Sequence, residues 1–251
     1  MNKIINLKSF KLSCAGCRFS QLCLPSSFDH DEFDQFEHIV KHERTVKKGE
    51  ALFEQGDPLK SLYMVHAGFV KVSLLAENGD RQIVGFHMPG EMLGFDAIEN
   101  DEHTCTAEAL ETSNICELPY DQLSNLCLDV PALNKNFMAL MSHDITDKHE
   151  MMLMLGKKSG ESRVATLLLN IASRFHARGY SGTEFNLGMS RQDMSNYLGL
   201  AVETVSRFIS HIQEEKIIHV DRKYIQIIDM HKLRMLAGVS EQCIDNWREL
   251  N

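Results

Sequence analysis

The sequence has no apolar run approaching the roughly 20 residues that a membrane-spanning helix requires. Its first stretch, Met1 to Leu12, alternates apolar and basic residues and lacks the continuous apolar core of a secretory signal. Leu12-Ser13-Cys14 faintly resembles a lipoprotein cleavage site, but no hydrophobic region precedes it, so export is not expected. Positive charge is not in surplus either. The 26 Lys and Arg face 35 Asp and Glu, and a formal net charge of -9 argues against a nucleic-acid partner for the chain taken whole. Low-complexity tracts and repeats are missing, and within residues 28–127 no nucleophile, base and orienting group stand together as catalysis would require. What is present is ordinary for a folded protein: 251 residues, 43% hydrophobic and 24% charged, enough for one large domain or two modest ones.

Seven cysteines without an export signal point to a reducing compartment, where thiols or metal ligands are expected rather than disulfides. Three of them, Cys14, Cys17 and Cys23, form a C-x2-C-x5-C cluster close enough to converge on one inorganic centre. Zinc and iron–sulfur clusters both take four such ligands. A fourth must come from elsewhere, and Cys116 in Asn114-Ile-Cys-Glu-Leu-Pro119 is the choice, with Cys105 in reserve. Spacing alone leaves zinc and iron–sulfur open. A redox C-x-x-C reading of Cys14 and Cys17 lacks the βαβ context that motif needs.

From Phe28 to about Cys127 the sequence reads as short strands between glycine turns, with Asn78-Gly79 as a hairpin signal. This predicts a small antiparallel β-roll of the cupin or jelly-roll kind over 28–128. The period then changes. Asp129 is expected to cap a helix that starts at Val130-Pro131 and runs to Gly156. Met138, Met141, Ile145, Lys148, Met152 and Leu155 are spaced 3, 4, 3, 4, 3 along it, a heptad seam that is apolar except for the lysine. Such a seam on a helix roughly 39 Å long pairs best with a second copy, which points to a homodimer.

Residues 157–239 form a further unit, followed by a polar tail over 240–251. Ser190 can cap a short helix with Met194, Tyr197 and Leu198 inward, and Gly199 allows a tight turn. A second helix from Ala201 or Val202 then faces Val205, Phe208, Ile209 and Ile212 inward. This is the helix-turn-helix layout, and Ile217–Val220 with Tyr224–Ile228 read as a hairpin wing turned by Asp221-Arg222-Lys223. Glu203, Ser206 and Arg207 share the second helix's outer face. A carboxylate can accept from cytosine, a guanidinium can bond both acceptors of guanine, and a hydroxyl can reach an adjacent edge. The global acidity does not stand against this, because residues 157–223 hold 10 Lys and Arg against 7 Asp and Glu.

The order of parts resembles the FNR subgroup of the CRP/FNR transcription regulators. Gly85-Phe-His-Met-Pro-Gly-Glu-Met-Leu-Gly-Phe-Asp96, Leu110-Glu-Thr-Ser-Asn-Ile-Cys-Glu-Leu-Pro119 and Asn196-Tyr-Leu-Gly-Leu-Ala-Val-Glu-Thr-Val-Ser-Arg207 carry the likeness, which spans roughly Cys14 to Gly238. The resemblance implies an α+β fold: a β-roll sensor, a long dimerisation helix over 129–156 and a winged helix-turn-helix. It implies a cytoplasmic, oxygen-responsive regulator rather than an enzyme. Cys14, Cys17, Cys23 and Cys116 would hold a [4Fe-4S] cluster that favours a dimer on palindromic TTGAT half-sites. Oxygen would degrade the cluster through a [2Fe-2S] form and weaken the dimer. Glu203, Ser206 and Arg207 would read the double-stranded DNA, and Gly79, Asp80 and Thr112 match surfaces presented to RNA polymerase.

Three departures stand out. Arg18 follows Cys17 where several relatives carry serine, and Gly16 stands where an acidic residue is common; a cation beside an anionic cluster should alter its potential. Lys148 takes a seam position where relatives place aspartate, so facing lysines would oppose dimerisation unless Asp144 or Asp147 across the seam neutralises them. A cyclic-nucleotide-responsive regulator of the same fold is the runner-up on Gly90-Glu91, but Glu102-His-Thr-Cys-Thr106 offers no arginine for a cyclic phosphate. A zinc-stabilised, redox-inert DNA-binding protein is the other alternative.

Overall fold

The computed structural model describes residues 14–18, 20, 28–77 and 79–239. Among these, two compact units form, one within Met1–Leu75 and Phe86–Ser142, the other within Ala76–Gly85 and His143–Asn251.

Eight strands precede the long helix: β1 (Lys41–Val46), β2 (Ala51–Phe53), β3 (Ser61–Ala67), β4 (Val70–Leu75), β5 (Arg81–His87), β6 (Met92–Leu93), β7 (Thr106–Ala109) and β8 (Ser113–Pro119); all belong to the first unit except β5, of which only Phe86 and His87 do. They lie in two four-stranded sheets ordered β1-β8-β3-β6 and β2-β7-β4-β5. Phe53 of β2 stacks on Tyr63 of β3 at 5.4 Å, where the two sheets meet across an apolar interior. Strand β3 is buried on both faces because its other side lies under helices. Leu62 and Met64 join Leu118 of β8 in one apolar cluster with residues of three helices: Phe36 of α1 (His30–Ile39), Leu123 and Leu126 of α2 (Tyr120–Asp129), and Leu133 and Phe137 of α3 (Pro131–Lys157).

Helices α1 and α2 replace the strands read from the sequence at the two ends of 28–127. Asp29 and Glu32 form a capping box, with the Asp29 carboxylate accepting from the Glu32 N–H at 2.9 Å and the Glu32 carboxylate accepting from the Asp29 N–H at 3.1 Å. The glycine punctuation that suggests strands begins only at Gly49, beyond this helix. In α2, Leu123 and Leu126 three residues apart bury one helical face. Asp129 therefore ends α2 and does not cap the long helix. The Val130 N–H donates to Leu126 O at 2.8 Å, while the Val130 carbonyl accepts from Leu133 and Asn134 and opens α3 at Pro131. The long helix runs through Gly156 to Lys157.

The second unit holds α4 (Gly160–Ala177), β9 (Glu184–Asn186), α5 (Arg191–Leu198), α6 (Val202–Glu214), β10 (Ile218–Asp221), β11 (Tyr224–Ile227) and α7 (Met230–Leu236). Ser159 caps α4, which buries Val164, Leu167, Leu168 and Ile171. A β-carbon on Gly160 would lie 2.8 Å from the Phe208 ring, so only glycine lets the start of α4 lie this close to α6. No helix among the described residues is long and apolar enough to cross a membrane.

Arg163 ties three chain ends together. Its Nη2 donates to Leu155 O at 2.7 Å, its Nε to Lys158 O at 3.1 Å and its Nη1 to Leu198 O at 3.0 Å. These carbonyls terminate α3, the junction and α5, where intrahelical partners run out. Lysine offers a single point charge in place of this planar fork. Arg163→Lys should lower stability by about 1–3 kcal/mol, read as an earlier urea midpoint by far-UV circular dichroism.

Candidate nucleic-acid interface and cysteine site

The helix-turn-helix follows from local chemistry. The Ser190 hydroxyl accepts from the Asp193 N–H at 3.1 Å and the Asp193 carboxylate accepts from the Ser190 N–H at 2.9 Å, which starts α5. Gly199 ends it at φ 62 and ψ 42, a conformation costly for any residue with a β-carbon. Met194, Ser195 and Leu198 are buried, while Tyr197 is only partly so. In α6, Val205, Ile209 and Ile212 are buried and Phe208 half-buried, leaving Glu203, Ser206 and Arg207 exposed on the opposite face. Among the described residues neither Glu203 nor Arg207 enters an ion pair, and the Arg207 guanidinium lies over the Phe208 ring at 5.6 Å from its centroid. His211 Nδ1–H donates to the Glu161 carboxylate of α4 at 2.7 Å, and this hydrogen bond raises the imidazole pKa while tying the end of α6 to α4. The wing is the three-stranded sheet β10-β11-β9, with Arg222 at φ 55 in its exposed turn. Lys216, Arg222 and Lys223 are exposed there, which suits phosphate contacts.

The cysteines come from distant parts of the chain. Cys14 opens a 3₁₀ turn over Cys14–Gly16, its N–H donating to a Glu37 carboxylate oxygen at 2.9 Å; the Cys17 N–H closes the turn onto Cys14 O at 3.2 Å. Cys14 is buried in the apolar cluster beneath the helices, and Cys116, opposite Met64 in the sheet register, packs against the same cluster. Burial pushes the Cys14 thiol up to about 12, with the charges of Glu37, Cys116 and Cys17 adding to it. Burial, then Cys17, pushes Cys116 up to about 11. Each of the three thiols thus lies within electrostatic reach of the other two, and none of them is in a disulfide. Cys23 lies outside the described residues. Among the described residues no three His, Cys, Asp or Glu already close on one metal position. The donor set nonetheless fits an iron–sulfur cluster: thiols gathered against apolar walls, with Arg18 exposed beside them.

The reserve candidate stands elsewhere. Cys105 is buried with its N–H donating to Asp96, away from the Cys14 cluster. Two residues escaped the sequence reading. Glu37 holds the Cys14 turn, and Cys127 of α2 packs against the same apolar cluster. No spacing signal connects either to the cysteine motif, since only packing of α1 and α2 brings them there.

On α3, Met138, Ile145 and Met152 are 61%, 54% and 62% exposed at intervals of seven, while Met141 and Leu155 are half-buried. Lys148 is half-buried and pairs with Asp144 of the same helix at 3.3 Å, its Nζ also donating to Val84 O at 3.4 Å. Neutralisation therefore begins within one helix, and Asp147 instead faces His143 at 3.9 Å. Gly79, at φ 85, and Asp80 are exposed at the β4–β5 turn, and Thr112 is exposed between β7 and β8.

The stretch that would bind a cyclic phosphate is occupied by a carboxylate. Asp96 accepts from the Thr104 and Cys105 N–H groups at 2.9 and 3.2 Å and faces His103 Nδ1 at 3.4 Å. Burial acts to raise its pKa, but the bonds from His103, Cys105 and Thr104 hold it below the usual carboxylate value. His103 itself stacks on Phe53 at 3.6 Å. An anion held here repels a phosphate.

Two family models match the chain: a cyclic nucleotide-binding domain over residues 43–129 and a Crp-like helix-turn-helix domain over 162–236. The chain is 44% identical over 231 residues to the fumarate and nitrate reduction regulatory protein of Vibrio cholerae serotype O1, covering 92% of each. It is 44% identical over 227 residues to the transcriptional activator protein Anr of Pseudomonas protegens, covering 90% of this chain and 93% of that one. Among solved structures, FixK2 from Bradyrhizobium japonicum superposes with a TM-score of 0.73 at 27% identity, over 79% of this chain and 97% of the other. The chain belongs to the FNR subgroup of the CRP/FNR family of DNA-binding transcription regulators.

Proposed function

We propose that the protein is a cytoplasmic regulator of transcription under anaerobic conditions, with Cys14, Cys17, Cys23 and Cys116 as ligands of a [4Fe-4S] cluster. The observation that carries this reading is the meeting of Cys14 and Cys116, about one hundred residues apart, in the apolar cluster that also holds the root of the long helix at Val130, Leu133 and Phe137. When bound, such a cluster supplies an oxygen-labile centre that joins its thiolate ligands. Ordering of the Cys14 turn presses on α1 and the sheet, and through Leu133 and Phe137 the same packing sets how α3 leaves the roll. The stripe of Met138, Ile145 and Met152 then pairs with a second copy, which brings two reading helices to palindromic TTGAT half-sites. Glu203, Ser206 and Arg207 read each half-site, while Gly79, Asp80 and Thr112 face RNA polymerase.

The cyclic-nucleotide reading is disfavoured by the Asp96 carboxylate and the filled His103–Phe53 stack. The zinc reading is decided by composition. Protein purified without oxygen should be coloured, hold iron and sulfide, and lose its absorption in air; a colourless protein with stoichiometric zinc would refute the cluster. Cys116→Ser should abolish iron retention, whereas Cys127→Ser should keep it.

Arg207→Ala should weaken binding to a TTGAT palindrome by about 1–3 kcal/mol and relax preference at one base pair, measured by fluorescence anisotropy against single-substitution duplexes. Equal losses on every duplex would place Arg207 on phosphate instead. Ile145→Glu buries a charge in the seam and should shift the loaded protein from dimer to monomer in anaerobic sedimentation, with operator binding lost alongside.

A further inference from the structure

One residue of the helix-turn-helix, Asn196, bonds three consecutive residues of β5, two through its side chain and one through its backbone carbonyl. Asn196 Nδ2 donates to Arg81 O at 2.7 Å, and its Oδ1 accepts from the Ile83 N–H at 2.5 Å. Gln82 Nε2 in turn donates to the Asn196 backbone carbonyl at 2.7 Å. Strand β5 is the edge of its sheet, where N–H and C=O groups lack a neighbouring strand. A carboxamide carries the same donor and acceptor as a peptide group, so Asn196 stands in for one residue of the missing strand. Aspartate could accept from Ile83 but could not donate to Arg81. On the next residue, Lys148 Nζ donates to Val84 O at 3.4 Å.

The turn beside this grip is short. Ala76 N–H donates to Asp80 O at 2.8 Å and Gly79 N–H donates to Ala76 O at 2.9 Å, which leaves little slack between Asp80 and the held Arg81 carbonyl. Asn196 sits in the last turn of α5, immediately before the Gly199 turn that sets the angle of α6. The place of the 76–80 turn is therefore inherited from the DNA-reading pair, consistent with residues 76–85 falling in the same compact unit as α5 and α6.

We propose that Asn196 is a positioning residue that fixes the turn bearing Gly79 and Asp80 beside the DNA-reading helices, so that a protein partner on the same DNA meets turn and operator in one register. The proposal rests on the reading of Gly79 and Asp80 as a polymerase contact. Three variants test it in the full-length protein loaded without oxygen: Asn196→Ala, which removes both side-chain bonds, Asn196→Asp, which removes only the donor, and Gln82→Ala, which leaves the helix-turn-helix untouched. Loss of the paired bonds in Asn196→Ala should speed hydrogen exchange at the Ile83 amide by about tenfold. Run-off transcription by purified RNA polymerase should fall by about fivefold to tenfold in both Asn196 variants and less in Gln82→Ala, while affinity for a TTGAT palindrome stays within about threefold. A residue with a merely structural role would lower affinity and transcription together, and that parallel loss, or unchanged Ile83 exchange, overturns the proposal. If the parent stimulates polymerase and the variants do so equally, the positioning role alone falls. If the parent does not stimulate polymerase at all, the polymerase reading falls and the positioning role goes with it.

Discussion

The apolar cluster shared by Cys14, the sheet and three helices is the constraint on which the rest of the molecule depends. It buries Leu62, Leu118, Leu123 and Leu133 almost completely, and each contributes roughly 1.5–3 kcal/mol relative to exposure. Because interiors of this density do not deform freely, a rearrangement at one member is felt by the others. Cys14, together with Leu133 and Phe137 from the first two turns of α3, belongs to this one cluster. That common packing gives the cysteine site a physical route to the helix whose outer stripe is exposed.

The DNA-reading unit is held by a different kind of contact. Beside its buried core of Leu168, Ile171, Met194, Leu198 and Ile212, hydrogen bonds at helix ends align its elements. Arg163 binds the last carbonyls of α3 and α5 at once, and Gly199 gives α6 its angle by adopting a left-handed conformation. Asn196 extends the same scheme to the β4–β5 hairpin. Polar groups fixed in this way leave Glu203, Ser206 and Arg207 exposed on the outer face of α6, the Arg207 guanidinium lying over Phe208.

Much of this was legible in the sequence wherever the signal was local. The 3.6-residue rhythm of Val205, Ile209 and Ile212 marked the buried side of α6 and, by subtraction, its exposed face. The seven-residue spacing of Met138, Ile145 and Met152 marked the stripe that is indeed exposed on α3. The helices at His30–Ile39 and Tyr120–Asp129 were missed because strand-like punctuation nearby outweighed a capping box and a single apolar pair. Asp129 was misassigned for the same reason, since a residue that ends one helix looks locally like one that begins the next.

Sequence by itself determined the periodicities, the Ser190 cap, the C-x2-C-x5-C spacing and the mildly basic character of the helix-turn-helix unit, all properties of residues near one another in the chain. Tertiary structure alone decided which distant groups meet. It brought Cys116 rather than Cys105 to the Cys14 cluster, gave Cys14 a partner in Glu37, put Asp144 beside Lys148, and laid Asn196 along the edge of β5. The reason is that helix and strand preferences act over a few residues, whereas these meetings follow from the one arrangement of packed elements that buries the apolar cluster and satisfies its helix ends.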